Sequence, residues 1–193
     1  MPALLLASTS PHRHALLARL GLSFSAVAPD VTETLQPGEP PRMRAARLAL
    51  EKAKAVASAH PDAIVIGSDQ VASVAGPAGT ELLRKPGDRA TCRRQLQAMS
   101  GRTVRFDTAV AVIHGATVLT HIDLTQVNFR PLDSAAIESY MDREPSFDCA
   151  GGFRCEGLGV TLFESIEASD PTALIGLPLI WVCGALRRLG VSP

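Results

Sequence analysis

Aromatic residues are scarce, with Phe, Trp and Tyr together making 4% of the 193 residues. No charge of either sign is in surplus: 19 Lys+Arg stand against 19 Asp+Glu. A polyanion binder needs spare cations to displace counterions, and a single-strand binder also needs aromatic faces on which bases stack. Nucleic acid is therefore not expected as a partner, although a local cationic patch for a small anion survives this test. The four cysteines, Cys92, Cys149, Cys155 and Cys183, form no CxxC pair and no zinc-ligand spacing with histidine. Without a secretory leader, reduced thiols in the cytoplasm are the expectation. No apolar run reaches the roughly 18 residues of a membrane span, since Leu174 to Leu189 is interrupted by Gly176, Pro178 and Gly184. Both GxGxxG and GxxxxGK[ST] are missing, which argues against Rossmann and P-loop sites.

Lysine is rare too. It stands only at positions 52, 54 and 85, and the other cations are arginine. Coding bias accounts for an arginine excess but does not choose which lysines remain.

A hydrophobic share of 46% and a charged share of 20% are those of an ordinary globular chain. One domain over residues 1–193, or two small lobes, is expected, long enough to bury a core without disulfides. Ala3 to Ala7 predicts a buried strand. Ser10 then suits an N-cap and Pro11 the first position of a helix running to Leu20, closed by Gly21. Residues 29–41 read as a loop carrying Glu33, and a second helix runs from Pro41 to about Ser58. Ala63 to Gly67 predicts a second strand with Ser68-Asp69-Gln70 at its C-terminal end, followed by a Gly/Pro loop reaching Lys85-Pro86-Gly87. Asp88 caps a third helix, and Thr103–Ile113 and Thr117–Phe129 form a hairpin about Gly115-Ala116. Asp133 to Arg143 reads as a helix, Phe147 to Ile166 as a Gly-punctuated β region, and Pro178 to Leu189 as a final helix. The pattern predicts an α/β fold around a mixed sheet.

Several residues could carry chemistry. The turn at Ser8-Thr9-Ser10 places hydroxyls and backbone N–H groups at a helix start with Arg13 in its first turn, a cradle for phosphate or an ordinary cap. Lys52 has Leu48, Ala49, Ala55 and Val56 around it at helical spacing, so its ammonium either meets an anion or snorkels to water. Lys54 lies beside Glu51 and Ser58 on a solvated face. Asp69 follows an apolar strand, where ligands of open α/β sheets bind, and suits a metal ligand, a general base or an arginine partner. Pro86 keeps Lys85 out of helical geometry and lets it extend from its loop.

The segments LLLASTSPHRHALLARLG, LALEKAKAVA, VIGSDQV, KPGD, AMSGR, CAGGFRCEGLGVTLFE and DPTALIGLPLI occur in this order. Together they resemble the Maf family of nucleoside triphosphate pyrophosphatases. The resemblance implies an elongated, inosine triphosphatase-like mixed sheet with flanking helices and a central cleft. It implies hydrolysis of a nucleoside triphosphate to the monophosphate and pyrophosphate, helped by Mg, Mn or Co. Asp69 would be the proton acceptor, with Glu33 beside it near the metal. Ser8, Arg13, Lys52 and Lys85 would surround the triphosphate, Lys52 and Lys85 also stabilising charge in the reaction. His12, Gln70 and Arg154 would select the base. The Asp69-Gln70 pair is similar to the branch acting on 7-methyl-GTP, whereas a dTTP/UTP branch carries Asp-Thr. UTP, CTP or a modified pyrimidine nucleotide is the alternative substrate, and a division-linked nucleotide sensor without turnover is the alternative function. His12 departs from the tryptophan common in the 7-methyl-GTP branch, whose ring would attract a cationic base. The apolar C-terminal helix and the resemblance point to a homodimer.

Overall fold

All four residues of LLLA at 4–7 are buried, as a strand covered on both faces requires, and they form β1 (Leu4–Ala7). The computed structural model describes residues 2–76 and 79–193. β1 lies parallel to β2 (Ser25–Val27) on one side and to β3 (Ile64–Gly76) on the other. β4 (Gly79–Leu83) runs antiparallel to β3. The sheet continues through β5 (Thr103–His114), β6 (Thr117–Phe129) and β7 (Phe163–Glu167) in the order β2-β1-β3-β5-β6-β7. The helices are α1 (Pro11–Ala18), α2 (Pro41–Ala59), α3 (Arg89–Met99), α4 (Ser134–Arg143) and α5 (Leu179–Arg188). Parallel and antiparallel pairs share one sheet, so the fold is mixed α/β.

The chain divides into two compact units. The first comprises residues 1–70, 107–123 and 170–193. Here side chains of β1 and β3 alternate between two apolar layers. Leu4, Leu6, Ile64 and Ile66 pack with Leu16 and Leu17 of α1 and with Val182 and Leu186 of α5. Leu5, Ala7 and Val65 face the other way, onto Ala53 and Val56 of α2. α1 and α2 thus cover opposite faces. Because β1 also sits between β2 and β3, its C-terminal end is a topological switch point, where ligands of open α/β sheets bind.

The approach of α2 depends on Gly67. A Cβ there would stand 2.5 Å from the Ala49 carbonyl oxygen and 2.6 Å from the Ala53 nitrogen. With alanine at 45, 49 and 53 and glycine opposite, helix and strand backbones come close, and Lys52 rides on that helix.

The second unit comprises residues 71–106 and 124–169. Five of the six phenylalanines belong to it, and four of these form one cluster. Phe153 meets Phe106, Phe129 and Phe163 edge-on, with ring centroids 5.1–5.7 Å apart. The few aromatics are therefore spent on a core. Asp88 caps α3 and Asp133 caps α4, each accepting a backbone N–H. Arg89 and Arg93 of α3 pair with Glu138 of α4.

Three expectations change. Helix α1 ends at Ala18 rather than Leu20, because its last turn tightens to i→i−3 bonds from Leu20 to Leu17 and from Gly21 to Ala18. The second strand does not stop at Gly67: it runs on to Gly76, so Ser68-Asp69-Gln70 lies mid-strand. β1 pairs with it as far as Gly67, and β4 supplies a partner for residues 72–76 where a loop was expected. Pro77 and Ala78 of that expected loop lie outside the described residues. The region 147–166 is mostly not β structure. It forms two short 3-10 turns, Ala150–Gly152 and Leu158–Leu162, before β7. Gly151 and Gly152 sit at φ 78° and 75°, which turns the chain instead of extending it.

Candidate active site

The site grows from the segments that leave β1 and β2 and from the helix and strand that follow. Ser8, 6% exposed, closes the end of β1, and its Oγ accepts the Ser10 N–H at 3.1 Å. Ser10 is the N-cap of α1, accepting the Arg13 N–H at 3.4 Å, with Pro11 at the first helical position. His12 and Arg13 follow in the first turn, both half-buried.

Lys52 is 7% exposed and does not snorkel. Its Nζ lies 2.6 Å from Asp69 Oδ1 and 2.6 Å from Glu33 Oε1, so one ammonium bridges a strand carboxylate and a loop carboxylate. Asp69 is nearly as buried as the lysine, whereas Glu33 is half-exposed. Lys54, two residues further along α2, is exposed, as its neighbours suggested.

Burial pushes the Asp69 carboxyl up from its ordinary value, and Glu33 adds to this. The charge and hydrogen bond of Lys52, with the charge of Arg13, pull the other way without overcoming it. At Glu33 burial also opposes ionisation, but there the Lys52 hydrogen bond and the charges of Lys52, Arg44 and Arg13 win and hold the carboxyl below its usual range. Burial lowers the Arg13 guanidinium, against the pull of Asp69 and Glu33. Two carboxylates in one environment are thus driven in opposite directions, the arrangement that separates a proton acceptor from a permanently ionised partner.

A turn from the C-terminal part of the first unit completes the surroundings. Arg13 Nε donates to the Gly176 carbonyl at 2.9 Å, and Ser68 Oγ stands 2.9 Å from the same oxygen. Gln70 Nε2 lies 2.9–3.0 Å from Thr108 Oγ1, the Ala173 carbonyl and the Leu174 carbonyl. The turn is itself locked: Asp170 accepts from Thr172 N and Oγ1 and, through its other oxygen, from Ile180 N at the start of α5.

Of the residues singled out in the sequence, Ser8, His12, Arg13, Glu33, Lys52, Asp69 and Gln70 belong to the first unit, and the structure brings Glu33, Lys52 and Asp69 into direct contact. Lys85 and Arg154 belong to the second unit. Lys85 is exposed in the stretch between β4 and α3. Arg154 Nη2 donates to Asp148 Oδ1 at 3.0 Å, while its backbone N–H donates to the Tyr140 hydroxyl at 3.3 Å. Sequence reading missed Arg44, Arg47, Ser68, Thr172 and Gly176. The one signal for the last two was the segment DPTALIG, whose resemblance was noted without a role.

A model of the Maf-like protein family matches residues 3–189. The chain belongs to the Maf-like protein family. Among curated proteins of this kind, one from Xanthomonas axonopodis pv. citri, named 7-methyl-GTP pyrophosphatase, is 54% identical over 190 residues, covering 98% of each chain. A protein of the same name from Bordetella avium is 51% identical over 100% of this chain and 95% of its own. That from Albidiferax ferrireducens is 49% identical over 98% and 94%. Among solved structures, the Ham1 protein of Staphylococcus aureus overlays with a TM-score of 0.47 at 16% identity, covering 66% of this chain and 71% of that one. Among the described residues, no helix of this Maf-like chain is long and apolar enough to cross a membrane.

Proposed function

We propose that the chain hydrolyses a nucleoside triphosphate to the monophosphate and pyrophosphate, with 7-methyl-GTP as the preferred substrate. The observation that carries this reading is the Lys52 bridge between Asp69 and Glu33 at the switch point of the sheet. Family membership and relatives named for that activity support it.

Lys52 is already engaged by both Glu33 and Asp69, which bring two carboxylates to the place where a triphosphate would bind. A divalent cation on the two carboxylates removes that difficulty, and their hard oxygen donors fit Mg, Mn or Co. Glu33 and Asp69 would hold the ion, which supplies Lewis-acid neutralisation of phosphate oxygens and acidifies water. The chain's own groups do the rest. Asp69 accepts the proton of the water that attacks phosphorus as the α,β-anhydride opens. Arg13 and Lys52 stabilise charge on the phosphate oxygens and the departing pyrophosphate from fixed positions. Ser8 and the start of α1 receive phosphate oxygens.

Gln70 has its amide nitrogen occupied by three acceptors, which leaves its carbonyl oxygen for the base. Guanine presents N–H donors to such an acceptor. Roles for Lys85 at phosphate and for His12 and Arg154 at the base rest on the family segments that contain them. The two units are taken together as one catalytic domain of a cytoplasmic enzyme. Ile180 of α5, 64% exposed, offers an apolar contact for a homodimer.

The test is kcat/KM on 7-methyl-GTP, GTP and UTP with Mg, Mn and Co in turn. A preference for 7-methyl-GTP of about tenfold or more, the effect of one well-placed recognition contact, is expected. Equal values, or a preference for UTP, overturn the substrate. Absence of pyrophosphate release from all three overturns the activity.

A further inference from the structure

Glu33 stands in residues 28–40, a stretch without helix or strand. Its side chain is 51% exposed, and an ion pair so open to water contributes too little to order a loop of this length. Something else must hold Glu33 beside Lys52.

Two arginines of α2, one helical turn apart, reach back to that loop. Arg44 Nη2 donates to the Glu33 carbonyl at 3.0 Å and its Nη1 to the Thr34 carbonyl at 3.3 Å. Arg47 Nη2 donates to the Thr34 carbonyl at 3.2 Å. Arg47 is itself gripped by Glu39, at the far end of the loop, through a two-bond fork of 2.6 and 2.7 Å, and its Nη1 lies 3.2 Å from Glu51. The planar fork makes such grips directional. Both arginines therefore act on backbone carbonyls and leave the Glu33 carboxylate free for Lys52. Because Arg44, Arg47 and Lys52 share one helix, the strap and the ammonium move as one body.

We propose that Arg44 and Arg47 are positioning residues which hold the Glu33 carboxylate at Lys52 by clamping the loop backbone, an assignment that rests on the pyrophosphatase reading for its catalytic consequence. The clamp itself is independent of that reading. Lysine is a poor replacement for either arginine, since a single ammonium lacks the two separate nitrogens with which Arg44 reaches two carbonyls and the planar fork with which Arg47 meets the Glu39 carboxylate.

The test uses the full chain with Arg44→Gln, Arg47→Gln, Arg44→Lys, Glu33→Gln and the double variant Arg44→Gln/Glu33→Gln. Amide hydrogen exchange at Thr34, whose N–H donates to the Thr32 carbonyl at 2.9 Å while its own carbonyl is held by Arg44 and Arg47, reads the clamp. Exchange is expected to rise about tenfold or more in each arginine variant, as local opening becomes easier, and to stay near wild type in Glu33→Gln, which keeps its backbone carbonyl. Unchanged exchange in Arg44→Gln and Arg47→Gln overturns the proposal. Pyrophosphate release reads the consequence. Arg44→Gln is expected to lower kcat/KM about tenfold or more, yet to add no more than about twofold to the loss in Glu33→Gln, the mark of two residues acting through one path. Fully multiplicative losses overturn it. If the wild type releases no pyrophosphate, the functional reading fails while the exchange measurement still decides the clamp.

Discussion

Replacing Lys52 by methionine keeps the length and the apolar stem of the side chain and removes only the charge. Lys52 and Asp69 side chains are 9% and 10% exposed, and their charged atoms stand 2.6 Å apart. Removing one member of such a buried pair strands the other, at a cost of about 3–5 kcal/mol. The Glu33 contact adds little, because that carboxylate is half-exposed and water replaces its partner. Arg13 remains as a second charge acting on Asp69 and softens the loss, which puts the expected value near the lower end, about 3 kcal/mol. For a chain of this size that lowers Tm by about 6–12 °C. The double variant Lys52→Met/Asp69→Asn is expected to recover more than half of the loss, since no buried charge is then unpaired. Urea titrations with a common slope measure both values. A single-variant loss below about 0.5 kcal/mol, the size of an ordinary surface change, would refute the reasoning. So would a double variant no more stable than the single one.

Two further outcomes follow from packing and burial. Gly67→Ala is expected to cost about 1–3 kcal/mol as an overpacking change, because the added methyl meets the α2 backbone; activity should fall with stability as α2 shifts Lys52, and a stable, fully active variant would contradict the close approach. Asp123 is 4% exposed, and its Oδ1 has no hydrogen-bond partner among the described residues. Burial and the charge of Asp170 raise its carboxyl above the ordinary 3.8, against His121. The folded chain thus binds this proton more tightly than the unfolded one, so the residue costs stability as pH rises past 3.8 and costs nothing well below it. Asp123→Asn should raise Tm at neutral pH, with the gain vanishing in acid. A gain independent of pH would contradict this origin.

Much of the scaffold was legible because local chemistry announces it. Ser10-Pro11 starts α1, Asp88 and Asp133 cap α3 and α4, and Gly115-Ala116 turns the β5–β6 hairpin. The apolar neighbours of Lys52 at helical spacing left two choices, an anion or a route to water, and the structure supplies the anions as Asp69 and Glu33. The continuation of β3 was not legible, since Gly76 and the residues after it read as a breaker and the partner β4 lies beyond them. The 3-10 turns at 150–162 were missed because their glycines look like strand punctuation until the left-handed φ values are seen. Least legible were the backbone carbonyls. Gly176 receiving Arg13, Ala173 and Leu174 facing Gln70, and Glu33 and Thr34 receiving Arg44 and Arg47 depend on segments far apart in the chain meeting in space, and a carbonyl leaves no trace in residue type.

The proposed hydrolysis turns on Asp69 as the group that takes the proton from water. Pyrophosphate release by wild type and Asp69→Asn, measured on 7-methyl-GTP with a saturating divalent ion, tests it most directly. A fall in kcat of about 100-fold or more, the size of a general-base contribution, is the predicted result. An Asp69→Asn variant that keeps wild-type turnover would contradict that role.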